Sequence, residues 1–173
     1  MKTKYLGLIA ILGLFLCTGC EKNPIGGTAT EEMAGEWYVT VQGIDEDGSV
    51  LYEDEELFGI GNFWLLTYNT SSNDPNSLWI QDVDGAFWDF KVKVQCNASA
   101  GTFSVLGGED QQNGAIVDIT NGKILRGAAK TPSGMAADSI VMDILFDDDD
   151  YAGVAYDRLR ITGYRYTGLA NDD

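Results

Sequence analysis

Apolar and polar residues alternate along most of this chain with a period of two. In Gly35 to Gln42, Trp37, Val39 and Val41 fall on one face, and Glu36, Tyr38, Thr40 and Gln42 on the other. That period predicts a strand with one buried face. The cleanest case is Phe87 to Cys96, with Trp88, Phe90, Val92, Val94 and Cys96 on one side and Asp89, Lys91, Lys93 and Gln95 on the other. Ser139 to Phe146 repeats it with Ile140, Met142, Ile144 and Phe146. Phe58 to Asn69 is apolar on both faces, as in a strand that lies between two apolar layers or lines a cavity. Shorter strands are predicted at Val50 to Tyr52, Leu78 to Asp82 and Thr102 to Leu106, and a long last strand at Tyr156 to Tyr166.

Turn chemistry separates these runs. Gly43 to Gly48, Thr70 to Ser77, Gly107 to Gly114 and Asp147 to Asp150 are polar connections, and Asp84-Gly85 marks a hairpin. Asn121-Gly122 has the signature of a type I′ turn, which predicts a hairpin between strands Ala115 to Thr120 and Lys123 to Ala128. Glu53 to Glu56 reads as a solvated charge run, and no stretch has a helical period. About eight or nine short antiparallel strands with tight turns predict an all-β domain, either a barrel or a sandwich.

The N-terminus has a different character. Met1 to Lys4 is basic, Tyr5 to Leu16 is an apolar run too short to span a bilayer comfortably, and small residues follow. This is the pattern of a secretory signal peptide over 1–19. Thr18-Gly19-Cys20 resembles the bacterial lipoprotein box, with Cys17 in place of the usual aliphatic residue. The resemblance implies that Cys20 is lipidated, with residues 20–34 as a tether and 35–173 as the folded domain. It also implies an exported protein held on the outer membrane, at its periplasmic face or the cell surface. More than one acyl chain suffices for stable anchoring. Cys96 is then the sole remaining thiol of the domain, so no internal disulfide is available, and its apolar face marks it as a small hydrophobe.

Charge and composition narrow the chemistry. The chain carries 11 basic and 27 acidic residues, a net of −16. This disfavours nucleic acid, which requires a basic surface. There is no histidine, which removes histidine-based triads and histidine-ligated zinc. No motif implies a cofactor. The acidic runs at Asp45 to Gly48, Asp82 to Gly85 and Asp147 to Asp150 offer oxygen ligands, but none completes an EF-hand loop. Carboxylate pairs leave a glycosidase-type hydrolase open in principle.

Gly35-x-Trp37 on the first strand resembles the opening of lipocalin-like (calycin) barrels. There, a tryptophan packs beneath an arginine from near the last strand and closes one end of the barrel. Arg158, Arg160 and Arg165 are the candidates for that partner, and Gly35, Trp37, Arg158 and Arg160 form the expected closure. The early Gly-x-Trp, aromatic middle strands and late Tyr-x-Arg-x-Arg run together resemble a family of Bacteroidetes proteins labelled lipid-binding putative hydrolase. The resemblance spans about Gly35 to Tyr166 and implies a lipocalin-like barrel with an apolar ligand, a lipid or fatty acid. Trp37, Trp88, Phe90, Val92, Ile140 and Met142 are the expected lining. The hydrolase half of the label finds no Gly-x-Ser-x-Gly elbow in these residues. The alternative is an accessory lipoprotein that binds a protein or glycan through outward aromatic residues such as Trp64, Tyr68 and Trp79.

Overall fold

β1 (Gly35–Ile44) buries Trp37, Val39 and Val41, as its alternation predicts, and continues two residues into the expected turn. In this computed structural model, which describes residues 27–169 and 171–172, it is the strand on which the sheet closes. One edge of β1 pairs first with β3 (Phe63–Asn69) and then with β2 (Val50–Glu53). Its other edge pairs from Trp37 to Ile44 with β9 (Arg158–Arg165). Between β3 and β9 run β4 (Ser77–Asp82), β5 (Lys91–Asn97), β6 (Thr102–Glu109), β7 (Ile116–Lys130) and β8 (Ala136–Phe146), each antiparallel to its neighbour. The result is a closed antiparallel eight-strand barrel, lipocalin-like, with β2 as an extra strand.

The interior is solid. Val39, Val41, Leu65, Ile80, Ile119 and Ile144 point inward with no accessible surface. A side chain beside a cavity that admits even one water keeps some accessible surface, so no such space adjoins them. In a barrel of this strand number, side chains can fill the bore completely.

Several elements differ from the sequence-based expectation. β3 begins at Phe63, and Phe63, Leu65 and Thr67 are its inward residues, while Trp64, Leu66 and Tyr68 face out. The charge run is not wholly solvated. Asp54–Leu57 forms one helical turn, α1, with a reciprocal capping box between Glu53 and Glu56. Asp54 is buried there and accepts hydrogen bonds from the Ile60 and Gly61 amides (3.3 and 2.6 Å). β5 starts at Lys91, because Phe87 to Asp89 turn out of the ladder and Asp89 has φ +49°. β7 is one continuous strand rather than a hairpin. Asn121 has φ +54°, but it forms a bulge, and the segments on both sides pair with β8. β8 is long enough to serve both halves, so the left-handed residue bends one strand instead of reversing the chain.

The folded unit also begins before residue 35. A 3-10 turn at Glu31–Met33 places Met33 in the core, and Thr30 is buried as well. The signal-peptide region and Cys20 lie outside the described residues.

Candidate functional site at the mouth of the barrel

The two ends of the barrel are built differently. At the end where β1 begins, Trp37 lies in the bore and donates from Nε1 to Thr67 Oγ1 (2.9 Å). Thr67 in turn donates to the Met33 carbonyl (2.6 Å). Arg165 lies over the indole, its guanidinium carbon 4.6 Å from the ring centroid. Its Nη1 donates to the Ala34 carbonyl (2.7 Å), and its Nε to Asp138 (3.2 Å). A Cβ on Gly35 would meet Arg165 Nη1 at 2.5 Å, so glycine makes room for the stacked guanidinium. Arg165 is therefore the closing arginine. Arg158 and Arg160 are not, because β9 runs antiparallel to β1 and carries them to the opposite end. There Arg160 pairs with buried Asp143 (2.7 Å) and donates to the Gly48 carbonyl (2.9 Å) on the outer wall.

The opposite end is the mouth, and three of the four connections there bring aromatic side chains to it. The first is the segment 83–90. Asp82 is the last residue of β4 and follows Leu78 and Ile80 on the inward face. One of its carboxylate oxygens accepts from the amides of Phe87, Trp88 and Asp89 (2.9, 3.3 and 3.2 Å). That grip gathers the aromatic residues of the segment over the bore. Phe87 stacks on Phe63 (5.4 Å between centroids), and Trp88 stacks on Phe146 (4.8 Å, 9° between planes). The Trp88 indole N–H donates to Asp148 (3.1 Å).

The second connection is β2 with α1, and the third is the loop 147–157. Phe58, just after α1, meets Phe87 and Trp88 edge-on (5.6 and 6.1 Å). In the third connection Tyr156 is buried and its hydroxyl donates to Asp149 (2.8 Å). Burial, with the Asp149 carboxylate beside it, pushes the Tyr156 phenol far above its usual range, so it stays a donor at any physiological pH. Leu57 and Tyr156 both pack over Gly43 of β1. Between these two connections lies a cavity of about 540 Å³, lined by Tyr52, Glu56, Leu57, Phe58, Tyr151, Ala155 and Tyr156. Val50, Leu51, Tyr52, Tyr151 and Val154, on the same two connections, leave apolar surface exposed.

The family described as lipid-binding putative hydrolase matches residues 22–170. The chain belongs to this family. None of the curated proteins matches it.

A lipid-binding role fits both the family and the barrel. The residues expected to line a lipid occupy other positions. Trp37, Phe90, Val92, Ile140 and Met142 have no accessible surface and pack against one another in the core. They fill the bore because the barrel is narrow and the inward rows are long-chained or branched. Trp88 differs: it is half-buried at the mouth and touches Phe58 beside the cavity. Sequence reasoning missed Tyr52, Leu57, Tyr151 and Tyr156 as site residues: Tyr52 and Tyr156 fall at the ends of predicted strands, and Leu57 and Tyr151 directly follow acidic runs. Their one signal was large apolar or aromatic side chains set beside those acidic runs.

The acids with displaced pKa, Asp74 and Asp172, are both held below the usual carboxylate range, chiefly by hydrogen bonds from Asn76 and from Ser133. A general acid requires the opposite direction. Among the described residues no group of three or more Cys, Asp or Glu is arranged to hold a metal ion. Cys96 is half-buried at the closed rim with its sulfur 3.7 Å from the Pro75 carbonyl, and burial pushes its thiol up, away from nucleophilic use.

Proposed function

We propose that this protein is an exported, lipid-anchored binder of a small apolar molecule, and that the molecule sits at the mouth of the barrel rather than in its bore. One contrast carries the reading: the inward side chains leave no room for a water molecule in the bore, while a cavity of about 540 Å³ walled by aromatic and aliphatic side chains with one carboxylate stands open between β2–α1 and the 147–157 loop. Small-molecule sites commonly measure ~300–1,000 Å³ and are apolar with a few polar groups for orientation. Here those groups are the phenols of Tyr52, Tyr151 and Tyr156 and the carboxylate of Glu56. The anchor reading rests on the basic start, apolar run and Thr18-Gly19-Cys20, and it would keep the binder near a membrane source of ligand.

A second reading has its own observation. On the outer wall Tyr38, Trp64, Tyr164 and Tyr166 form a run of touching rings, with Trp64 to Tyr166 at 4.2 Å and Tyr38 to Trp64 at 5.5 Å. Such a platform suits a glycan or a protein partner.

Native mass spectrometry of the full chain, extracted from the membranes of a bacterial host, tests both. The expected result is a chain beginning at acylated Cys20 with an extractable apolar mass bound. Ala155→Trp, which fills the cavity, should lose that mass and remain folded. Retention of the mass by Ala155→Trp overturns the mouth site. A bare protein that takes up no added hydrocarbon ligand overturns the binder and favours the outer wall.

A further inference from the structure

The mouth cavity is lined by four aromatic rings and one carboxylate, and no Lys or Arg lines it. The two connections that form it, residues 50–57 and 147–157, together hold nine carboxylates: Glu53, Asp54, Glu55, Glu56, Asp147 to Asp150 and Asp157. They hold no basic residue. The basic residues at the mouth ends of β5 and β9 are engaged elsewhere or border a different cleft. Arg160 is tied to Asp143, and Lys91 stands over the Tyr68 and Trp79 rings on the outer wall. Arg158 borders a separate polar cleft with Asp45, Glu46 and Asp47.

From this arrangement we infer that the mouth site selects its ligand by headgroup charge, taking a hydrocarbon chain that ends in an ammonium group over a fatty acid of the same length. The inference rests on the mouth site proposed above and names its ligand class. An anionic headgroup brought to this cavity meets Glu56 and the surrounding carboxylates without a cation to pair with. Like charges in a partly desolvated site repel more strongly than in bulk water. An ammonium gains on both counts. It faces the Glu56 carboxylate, and the rings of Tyr52, Phe58, Tyr151 and Tyr156 offer electron-rich faces of the kind that bind alkyl-ammonium groups. The hydrocarbon chain packs on Leu57, Ala155 and the exposed Val50 and Val154. Glu56 retains one free carboxylate oxygen for this, since the amide of Glu53 engages only Oε2.

Calorimetric titration of the full chain with dodecylamine, dodecanol and dodecanoate, each below its micelle threshold, tests the selection. The ammonium form should bind about tenfold more tightly than the carboxylate, with the alcohol between them, from one carboxylate pairing and one or two ring contacts. Glu56→Gln preserves the capping box, because glutamine fills that role. It should weaken dodecylamine about two- to fivefold and leave dodecanol unchanged. Glu36→Gln, on the outer wall at the other end of the barrel, should change neither. Equal binding of all three chains, or tighter binding of dodecanoate, overturns headgroup selection while leaving the mouth site standing. An equal loss in Glu36→Gln and Glu56→Gln also overturns it, since the protein's overall charge would then account for the preference. Binding of none of the three overturns the mouth site itself.

Discussion

Arg165 ties three parts of the closed end together: the indole of Trp37, the Ala34 carbonyl and Asp138. Its guanidinium stacks as a plane and donates in a fixed fork, which a lysine ammonium cannot copy. Arg165→Met should therefore lower unfolding free energy by about 1–3 kcal/mol, measured by urea titration, and Arg165→Lys should recover little of it. Gly35→Ala places a methyl group 2.5 Å from Arg165 Nη1, close enough to push the guanidinium off the indole. It should cost a similar amount, and the double variant should cost clearly less than the two single effects added, because both act on one contact. Simple addition of the two effects would show that glycine serves the backbone alone. At the mouth, Asp82 plays the comparable part: one carboxylate holds three successive amides and with them the aromatic cover.

Single elements show how local signals were redirected by their neighbours. Asn121-Gly122 has the chemistry of a hairpin turn, yet β7 passes through it as a bulge. Gly122 lies against Phe103 of β6, where a Cβ would come within 2.4 Å of the ring and of the Phe103 carbonyl. Gly122→Ala should consequently destabilise the barrel by about 1–3 kcal/mol through overpacking, with a lowered thermal midpoint as the readout. Asn121→Gly keeps the left-handed conformation and should be far milder. A reversal of that order would point to turn formation instead of packing. The charge run at Glu53 to Glu56 was redirected too. Its carboxylates cap a helical turn, and that turn sets Leu57 and Phe58 at the mouth cavity.

Across the whole molecule, Asp172 lies near the closed end of the barrel. Asp172 accepts from the Ser133 amide (3.0 Å) and from the Thr167 hydroxyl, and hydrogen bonding from the Ser133 and Thr167 side chains, with the Ser133 amide, holds its carboxyl at about 2, below the ordinary aspartate value. A lowered folded-state pKa stabilises docking fully above the ordinary value, and that contribution fades as pH falls through about 2. The Ser133 amide resonance should hence be constant from neutral pH to about pH 4 and then titrate with a midpoint near 2. A midpoint at the ordinary aspartate value would show the tail to be undocked. Asp172→Asn should show no such titration.

The chain by itself determined its class. Two-residue alternation in Gly35 to Gln42, Phe87 to Cys96 and Ser139 to Phe146, with turn residues between, requires antiparallel sheet, and Gly35-x-Trp37 pointed to the closed end. These features are local, because a strand's inward face is written in its own residues. Tertiary structure decided what depends on register and distance. It placed Arg165 on Trp37, since only pairing of β1 with β9 tells which arginine arrives there. It filled the bore, because side-chain volume against barrel radius is not encoded in alternation. And it formed the mouth cavity from Tyr52, Leu57, Tyr151 and Tyr156, residues of two connections about 100 positions apart in a chain of 173, which meet because the closing of the sheet sets the end of β1 beside the start of β9.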